Sequence, residues 1–514
     1  MPDRIHCASI ILIIISIGFL IGGILLVVLG DSIIKKIVRN ECQLKPGTML
    51  YNNWHDSPVP LYISFYVFDL NNTEFLNGTS KPHVKQRGPF VYKEERKKID
   101  VRMYENQTIS YRELRSYTFD PSKSAELDTV NITAINLVYM VLVNYLQMED
   151  VSPTFRKIVG NLLADQEKPI MKLSVKEYIW GYQDPLLYTL KSQFPELITD
   201  DQVSVYNASV REAGSNTFLI NNGVSSGTNN TERINNVGQI ERFNFERSLP
   251  FWSNEYANMI NGTDSTIWHP NTKENERIYA FISDICRSVY LGFNETNMNK
   301  FNIKTYHYTT PNSVFAKSTE NEGFCLNSTT SNKTHELECL SSGLFSLKSC
   351  IHLSNIVLPI PLPIIGSNPH FLAADSSIQN GINGLTPDDI KHRSFMDIEP
   401  LTGVVMNGSR RLQINLNVVN DSAISAIARL NSFVYPMIWV DEHAEIDKTN
   451  ADKFYNKVTK PIMVLHIMKY VILGIGSVLF IIVIILLAYR RYKASIFGPP
   501  FEKPNADETS PLLF

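Results

Sequence analysis

The sequence has few cysteines and almost no excess of charge. Six cysteines occur in 514 residues, and no two of them form a CxxC pair, so a zinc site is a poor interpretation. The 48 lysines and arginines nearly balance the 51 aspartates and glutamates, and the formal net charge of −3 gives no support for nucleic-acid binding. With 44% hydrophobic and 19% charged residues, the chain is too apolar for a disordered tail or a coiled-coil rod.

The sequence also lacks the short motifs of common enzymes. It contains no GxSxG, HExxH or GxxxxGK[ST] segment, and His335-Glu336 lacks the second histidine of a zinc protease. The carboxylate pair Asp388-Asp389 lies in a TPDD segment that is typical of a helix N-terminus. We therefore predict that the chain is not an enzyme and holds no metal ion or cofactor.

Two long uncharged runs occur near the ends of the chain, at 7–29 and 470–489. About 20 residues are enough to cross a bilayer as a helix, whereas the apolar region of a cleaved signal peptide has about 7–15. We therefore predict an uncleaved signal anchor at 7–29 and a second span at 470–489. The mean hydropathy of −0.09 argues against a transporter with many spans.

Basic clusters and glycosylation signals bear on the topology. The cluster at 490–493 predicts a cytosolic tail, 490–514, but the cluster at 35–39 argues for the opposite orientation of the first span. Twelve Asn-x-Ser/Thr sequons all lie between the spans, which favours a glycosylated lumenal or extracellular domain at 30–469 and a cytosolic N-terminus at 1–6. The sequons are at Asn71, Asn77, Asn106, Asn131, Asn207, Asn229, Asn261, Asn294, Asn327, Asn332, Asn407 and Asn420.

Four of the six cysteines lie close together in the middle domain: Cys286, Cys325, Cys339 and Cys350. An oxidising compartment would pair them, with three connectivities open to four cysteines. Cys42 would be free or intermolecular. Cys7, at the cytosolic end of the first span, is a candidate for palmitoylation, and the alternative is an apolar residue in a span.

The middle domain is predicted to mix strands and helices. Residues 61–70 predict a strand because they are rich in aromatic and β-branched side chains. Similar short runs lie near 89–92, 217–220, 301–308 and 412–419. Apolar spacings of three and four predict helices over 134–147 and 155–190.

Three further segments have distinctive compositions. The apolar stretch 130–146 is interrupted by three asparagines, so it predicts a buried or partner-facing helix rather than a bilayer span. Residues 221–238, rich in Asn, Gly and Ser, predict a flexible loop. The prolines of 357–363 predict an edge strand or an extended connection.

Six segments, in this order along the chain, carry a family pattern: WHDSPVPLYISFYVFDLNN at 54–72, RGPFVYKEER at 87–96, IWGYQDPLL at 179–187, NMINGTDS at 258–265, DICRSVYLGF at 284–293 and SFMDIEPLTGVVMNGSRRLQINLNV at 394–418. Together with the two spans, they resemble the class B scavenger receptor family over nearly the whole chain.

The resemblance implies an α+β fold with an antiparallel β-barrel-like core, a helical bundle at the membrane-distal apex and an internal apolar tunnel. Residues 130–190 would form the apex, and the disulfides would join Cys286 to Cys350 and Cys325 to Cys339. Members of this family bind lipids or lipoproteins, or carry a partner protein at the apex. A tunnel that passes sterol or fatty acid to the bilayer avoids the cost of about 0.8 kcal/mol for each CH₂ exposed to water.

The apex has four candidate ligand-binding lysines: Lys157, Lys168, Lys172 and Lys176. They could meet an anionic ligand or a lipid head group, and the alternative is a solvated helix face. No histidine occurs between His83 and His269. Acid-triggered release of an apical partner would therefore need carboxylates with a raised pKa, which weakens the case for carrying a lysosomal hydrolase.

The C-terminal residues resemble a sorting signal. Glu508, Leu512 and Leu513 fit the acidic dileucine pattern that clathrin adaptors read, on a segment that Pro504 and Pro511 keep extended. This pattern makes the tail similar to the lysosomal branch of the family.

We therefore expect a receptor of late endosomes and lysosomes that binds membrane lipids, sterol or fatty acid and passes lipid to the bilayer. The alternatives are a plasma-membrane scavenger or phagocytic receptor for lipoproteins, particles or bacteria, and a sorting receptor for a lysosomal hydrolase. Gly18 and Gly22 have the GxxxG spacing of a helix dimer, although a glycine-rich span produces this spacing by chance. The sequence therefore leaves both a homodimer and a monomer open.

Overall fold

The computed structural model describes residues 2–147, 151, 153–166, 168–193, 195–196, 199–206, 216–224, 234–327, 337–348 and 362–497. The chain divides into two compact units, one made of Met1–Ile37 with Lys453–Phe514 and the other of Val38–Asp452. We call the first the terminal unit and the second the middle domain.

The helices, in chain order, are α1 (Pro2–Glu41), α2 (Met49–His55), α3 (Leu137–Leu146), α4 (Pro153–Gln166), α5 (Val175–Trp180), α6 (Pro185–Gln193), α7 (Glu255–Asn258), α8 (Ser376–Gln379), α9 (Asp389–His392), α10 (Lys448–Phe454) and α11 (Lys460–Phe497).

The strands are β1 (Leu61–Leu70), β2 (Val84–Met103), β3 (Thr108–Phe119), β4 (Asn131–Ile135), β5 (Ile170–Ser174), β6 (Tyr182–Gln183), β7 (Gln202–Val203), β8 (Thr217–Asn221), β9 (Ile240–Phe243), β10 (Ile278–Ile282), β11 (Arg287–Met298), β12 (Lys304–Thr309), β13 (Leu326–Asn327), β14 (Leu337–Glu338), β15 (Leu344–Ser346), β16 (Ile364–Ser367), β17 (Phe395–Ile398), β18 (Val405–Val418) and β19 (Phe433–Glu445).

Two helices are long and apolar enough to cross a membrane, within Ile10–Glu41 and Lys448–Lys493, and most of their residues belong to the terminal unit. The predicted spans at 7–29 and 470–489 lie inside α1 and α11. Helix α1 continues past the uncharged run and through the basic cluster at 35–39.

The two long helices approach each other closely at two glycines. A Cβ atom on Gly23 would lie 2.8 Å from the Cα of Leu473, and one on Gly476 would lie 2.8 Å from the backbone nitrogen of Leu20. Gly18 and Gly22, by contrast, would meet no heavy atom within 4 Å. The GxxxG spacing is therefore not what joins α1 to α11.

The middle domain is built on one large antiparallel sheet. Within the described residues, thirteen strands belong to it, in the order β10-β11-β12-β17-β18-β19-β1-β2-β3-β8-β9, with β16 paired to β18 and β15 to β16. Strand β1 lies in the middle of this order, and its first residue, Leu61, pairs with Glu94 on one side and Ala444 on the other.

A short segment at 262–263 nearly closes the sheet. The backbone N–H of Ile240 on β9 donates to the carbonyl of Gly262 (2.9 Å), and that of Phe281 on β10 donates to the carbonyl of Thr263 (2.8 Å). Gly262 has φ +89°, and a Cβ there would lie 1.9 Å from the carbonyl oxygen of Tyr279, so only glycine fits. The sheet is thus the barrel-like core that the resemblance implies.

The helices α3 to α6 gather at one end of this barrel, which we call the helical end. The backbone N–H of Thr133 donates to Asp69 near the end of β1 (2.8 Å), and the amide of Asn144 on α3 donates to the carbonyl of Asn417 near the end of β18 (3.2 Å). The other end, which we call the base, is where the chain enters β1 at Leu61 and leaves β19 at Glu445. One hydrophobic core runs from the barrel strands into the helical end.

The predicted helices are only partly correct. Residues 137–146 are helical, but Ala134 lies in β4, and the predicted helix at 155–190 is interrupted by β5. Strands β4 and β5 pair in register from Asn131 with Ser174 to Ile135 with Ile170. In a run of five residues, the spacing of apolar side chains does not distinguish a helix from a strand. The pairing of β4 with β5 therefore determines the conformation of these segments.

Candidate functional site

Helix α3 forms the buried part of the helical end. Eight of its ten residues are buried, which confirms the prediction of a buried helix. The side chain of Asn136 accepts a hydrogen bond from the backbone of Tyr139 (3.1 Å) and caps the helix, while Asn131 is exposed at the start of β4. Of the three asparagines that argue against a bilayer span, Asn136 caps this helix, Asn144 joins it to β18, and Asn131 lies outside it.

The four apical lysines lie on different elements rather than on one helix face. Lys157 is on α4, Lys168 precedes β5, Lys172 is on β5 and Lys176 is in the first turn of α5. All four side chains are exposed, and none forms an ion pair within the part of the chain that the structure describes. They present four positive charges at the helical end that no ion pair with a described residue neutralises.

An aromatic cluster joins the helical end to the barrel interior. Trp180, the last residue of α5, lies with its ring centroid 5.4 Å from Phe65, 4.9 Å from Tyr92, 5.0 Å from Tyr117 and 5.8 Å from Tyr206. Most of these pairs are edge-to-face, the arrangement that ring quadrupoles favour. Below the apical lysines, the interior is therefore aromatic.

The barrel interior near the base is charged instead. Glu94, Arg96 and Lys98 alternate along β2 with exposed residues, so their side chains share the inner face. Arg96 donates to Glu94 (2.7 Å) and pairs with Glu442. Lys98 pairs with Glu113 at 2.6 Å.

The remaining members of this base cluster come from β3, β18, a loop and the 3-10 turn Ser283–Ile285. They are Arg115, Asp264, Asp284 and Arg410. Burial alone would raise the pKa of Glu442, but Arg410 and Arg96 outweigh it and lower the pKa to about 2. Burial raises the pKa of Glu94, although Arg96 opposes this shift. Five acids and four bases are thus held together inside the barrel.

Sequence reasoning missed this base cluster. A signal was present, because the charges of KEERKK at 93–98 directly follow the predicted strand near 89–92. If that strand continued, alternate charges would face inward and need partners. The partner Glu442 lies far along the chain and is brought close only by the pairing of β1 with β2 and β19.

The cysteines have three different environments. Cys325 and Cys339 form a disulfide, as the resemblance implies. Cys286 is disulfide-bonded, and Cys350, its implied partner, lies outside the described residues. Cys42 is a fully buried free thiol whose Sγ donates to the carbonyl of Thr402 (3.4 Å). The prediction of a free Cys42 fits this position, whereas an intermolecular disulfide does not.

The sequons differ in exposure. Exposed asparagines are Asn71, Asn77, Asn106, Asn131, Asn294 and Asn420. Asn261 and Asn407 are partly buried, and the amide of Asn407 donates to Asp397 (3.0 Å). Asn207, Asn229 and Asn332 lie outside the described residues, as does the side chain of Asn327. Glycosylation at the exposed positions remains a prediction.

Several sequence predictions fall outside the described residues. These are the sorting signal of Glu508, Leu512 and Leu513, most of the proline-rich segment at 357–363 and most of the loop at 221–238. Cys7 lies in α1, and its palmitoylation remains a prediction.

Comparison with known proteins agrees with this architecture. The model of the CD36 family matches residues 13–487. Scavenger receptor class B member 1 of Sus scrofa is 30% identical over 500 residues, which cover 96% of this chain and 92% of that protein. Lysosome membrane protein 2 of Rattus norvegicus is 30% identical over 508 residues, covering 98% and 97%, and that of Homo sapiens is 28% identical over 512 residues, covering 98% and 97%. The protein is a member of the CD36 family, with the barrel, the helical end and the two terminal apolar helices described above.

Proposed function

We propose that this protein is a non-enzymatic scavenger-type receptor that binds lipids, or particles that carry them, at its helical end and passes lipid into its barrel. The observation that carries the proposal is that exposed lysines without a described ion pair lie at the same end of the barrel as a hydrophobic core that contains the aromatic cluster around Trp180. Cations at the surface suit anionic head groups, and an aromatic interior suits apolar chains or a sterol. Receptors among the relatives support the same function.

The base cluster restricts the route that a lipid can take. An apolar lipid chain could pass the base cluster only if its ion pairs separated. Separation would leave buried charges without partners, which costs free energy. We propose that lipid leaves the interior before reaching Glu94 and Glu442, on the helical side of the base cluster.

Lipid extraction and native mass spectrometry of the glycosylated full-length protein test the proposal. We expect sterol, fatty acid or phospholipid to copurify with it. A variant with Lys157, Lys168, Lys172 and Lys176 all changed to Gln should take up less lipid from anionic vesicles. The matched control changes four exposed lysines elsewhere, Lys97, Lys273, Lys304 and Lys448, to Gln. An empty wild-type protein, or equal loss in both variants, would contradict the proposal.

We further propose that the protein works in late endosomes and lysosomes, with both termini cytosolic and a clathrin adaptor bound to Glu508, Leu512 and Leu513. The naming of lysosome membrane protein 2 among the relatives supports this location. Changing Leu512 and Leu513 to Ala should move the protein to the cell surface, whereas Phe514→Ala should leave it in place. Unchanged endolysosomal localisation of the dileucine variant would favour the plasma-membrane alternative, a scavenger or phagocytic receptor.

Three partner assignments belong to the same proposal. We propose a lipoprotein rather than a lysosomal hydrolase as the partner of the apical lysines, since the sequence between His83 and His269 offers no histidine for acid-triggered release. A homodimer through Gly18 and Gly22 is compatible with the open face of α1 at these positions. Nucleic acid is not a proposed partner, because the chain has no excess of basic residues.

A further inference from the structure

A separate pocket lies beside the Cys325–Cys339 disulfide, between the segment at 315–325 and the strands β15 and β16. Its volume is about 100 Å³. Three cations, Arg287, Lys317 and Lys348, line it, and no aspartate or glutamate is among its described lining residues. The pocket therefore has a positive charge that nothing in its described wall compensates.

Arg287 is the buried member of the three cations, with 4% of its surface exposed. Its guanidinium stacks on Phe324 at 3.5 Å from the ring centroid. Nη2 donates to the carbonyl of Val314 (2.5 Å) and to the side-chain oxygen of Asn321 (2.9 Å), which are both neutral acceptors. Nε is buried, and neither Nε nor Nη1 forms a hydrogen bond with a described residue.

This environment disfavours the charge on Arg287. Burial lowers the pKa of Arg287 to about 9, and no ion pair with a described carboxylate opposes the shift. Burying a cation without a counter-ion costs free energy. An anion that accepted hydrogen bonds from Nε and Nη1 would offset this cost and would therefore bind favourably.

The two lysines extend the positive charge outward from Arg287. Lys317 is exposed, Lys348 is half-buried, and neither forms an ion pair within the described ranges. Phe345, stacked on Phe315 with ring centroids 4.5 Å apart, and Ile365 supply apolar wall. Three cations suit a phosphate group better than a carboxylate, because a phosphate monoester carries about −1.5 to −2 charges and three acceptor oxygens.

We propose that this pocket binds a phosphate group, carried by a lipid head group or present as free phosphate, with Arg287, Lys317 and Lys348 as its donors. The pocket reaches Asn417 near the helical end, but its lining includes neither the four apical lysines nor a member of the base cluster, so the site does not depend on the function proposed above. Its apolar wall would contact the part of a phosphate ester next to the phosphate.

Calorimetry on the full-length protein in a phosphate-free maltoside detergent tests the site. The probes are inorganic phosphate, dihexanoyl phosphatidic acid and the uncharged dihexanoylglycerol, with octanoate as the carboxylate. The test variant is Lys317→Gln with Lys348→Gln, because these side chains make no internal ion pair in the described structure. The matched control is Lys97→Gln with Lys273→Gln, which removes two exposed charges outside the pocket.

We expect both phosphate probes to bind the wild type and the control, and to bind the test variant about tenfold more weakly or worse. Tighter binding of the phosphatidic acid than of inorganic phosphate would identify a lipid head group, and equal binding would identify free phosphate. The Arg287→Gln variant should not bind phosphate if it folds. If this variant does not fold, the Lys317→Gln, Lys348→Gln variant tests the proposal by itself. No phosphate binding by the wild type, equal weakening in the control, or tighter binding of octanoate or dihexanoylglycerol would overturn the proposal.

Discussion

The imidazole ring of His370 is stacked on that of His392, with the ring centroids 4.5 Å apart and the planes 21° from parallel. Both side chains are almost fully buried. Burial, together with the neighbouring His392, lowers the pKa of His370 to about 4, and burial lowers the pKa of His392 to about 4. A third histidine behaves in the opposite way: burial disfavours its charge, but a hydrogen bond between His269 and Glu276 (2.7 Å) outweighs burial and raises the pKa of His269.

We therefore predict that His370 and His392 are neutral at pH 5, where His269 is charged. Exchange of the histidine C2 hydrogen for deuterium, followed by mass spectrometry across pH 3–8, reports each histidine separately. Because an unfolded histidine has a pKa of about 6.5, His370 and His392 each bind fewer protons in the folded than in the unfolded chain between pH 6.5 and 4. Through His370 alone, the free energy of unfolding should therefore fall by about 2 kcal/mol as the pH is lowered from 7 to 5. Titration of His370 above His269 would contradict the prediction.

The second prediction concerns the thiol of Cys42. Burial, aided by Glu399, raises the pKa of Cys42 to about 12, and the thiolate is the form that reacts. Iodoacetamide at pH 8 should leave Cys42 unmodified in the folded full-length protein and modify it after denaturation. Ser57→Cys places a thiol at an exposed position and serves as the reactive control. Stoichiometric labelling of Cys42 in the folded protein would show that this residue is accessible.

The fold was predictable where local pattern and tertiary structure agree. Residues 61–70 form a strand with the predicted bounds, and α3 is buried as its asparagine pattern indicates. The pairing of β4 with β5 was not predictable, because each segment is stable only against the other. The same holds for the closure of the barrel at Gly262, which depends on a close approach to Tyr279 that no local pattern encodes.

The candidate sites show the same division. The apical lysines were recognised as charges in a predicted helical region, but their distribution over α4, β5 and α5 needed the structure. Arg287 follows a cysteine in a family segment, and nothing in its neighbourhood along the chain shows that it is buried without a carboxylate. Burial and the absence of an ion pair depend on tertiary structure. The sequence can therefore identify candidate residues, but it does not show where they lie in the fold.

The third prediction concerns the contact between α1 and α11. Gly23→Leu should separate the two helices, because even a Cβ there would lie 2.8 Å from the Leu473 backbone. Gly474→Leu adds the same side chain at a glycine of α11 whose Cβ would meet no heavy atom within 4 Å, and it is the matched control. Spin labels on cysteines at the exposed positions Ile14 and Ile485, in a Cys7→Ser background, report the inter-helix distance. A similar distance in both leucine variants would show that Gly23 is not a packing contact.

The last prediction separates two glutamates of the base cluster. Glu442→Gln removes the acid that pairs with both Arg96 and Arg410, leaving two buried cations short of a partner. We expect the free energy of unfolding to fall by about 3 kcal/mol, within the range for breaking a buried pair. Because the folded pKa of Glu442 is about 2, its contribution is present above the unfolded pKa of about 4.3 and is lost only as the pH falls toward 2. The loss should therefore be similar at pH 5 and pH 7.4.

Glu94→Gln should behave differently, because burial raises the folded pKa of Glu94. The stability linked to its neutral form is present at low pH and lost as the pH rises through the folded pKa. Glutamine mimics the neutral acid, so this variant should gain stability relative to the wild type between pH 5 and pH 7.4. Thermal unfolding midpoints at both pH values measure this, with the exposed Glu95→Gln as the control. Equal shifts for Glu442→Gln and Glu95→Gln, or a pH-independent effect of Glu94→Gln, would mean that the base cluster is solvated rather than sealed inside the barrel.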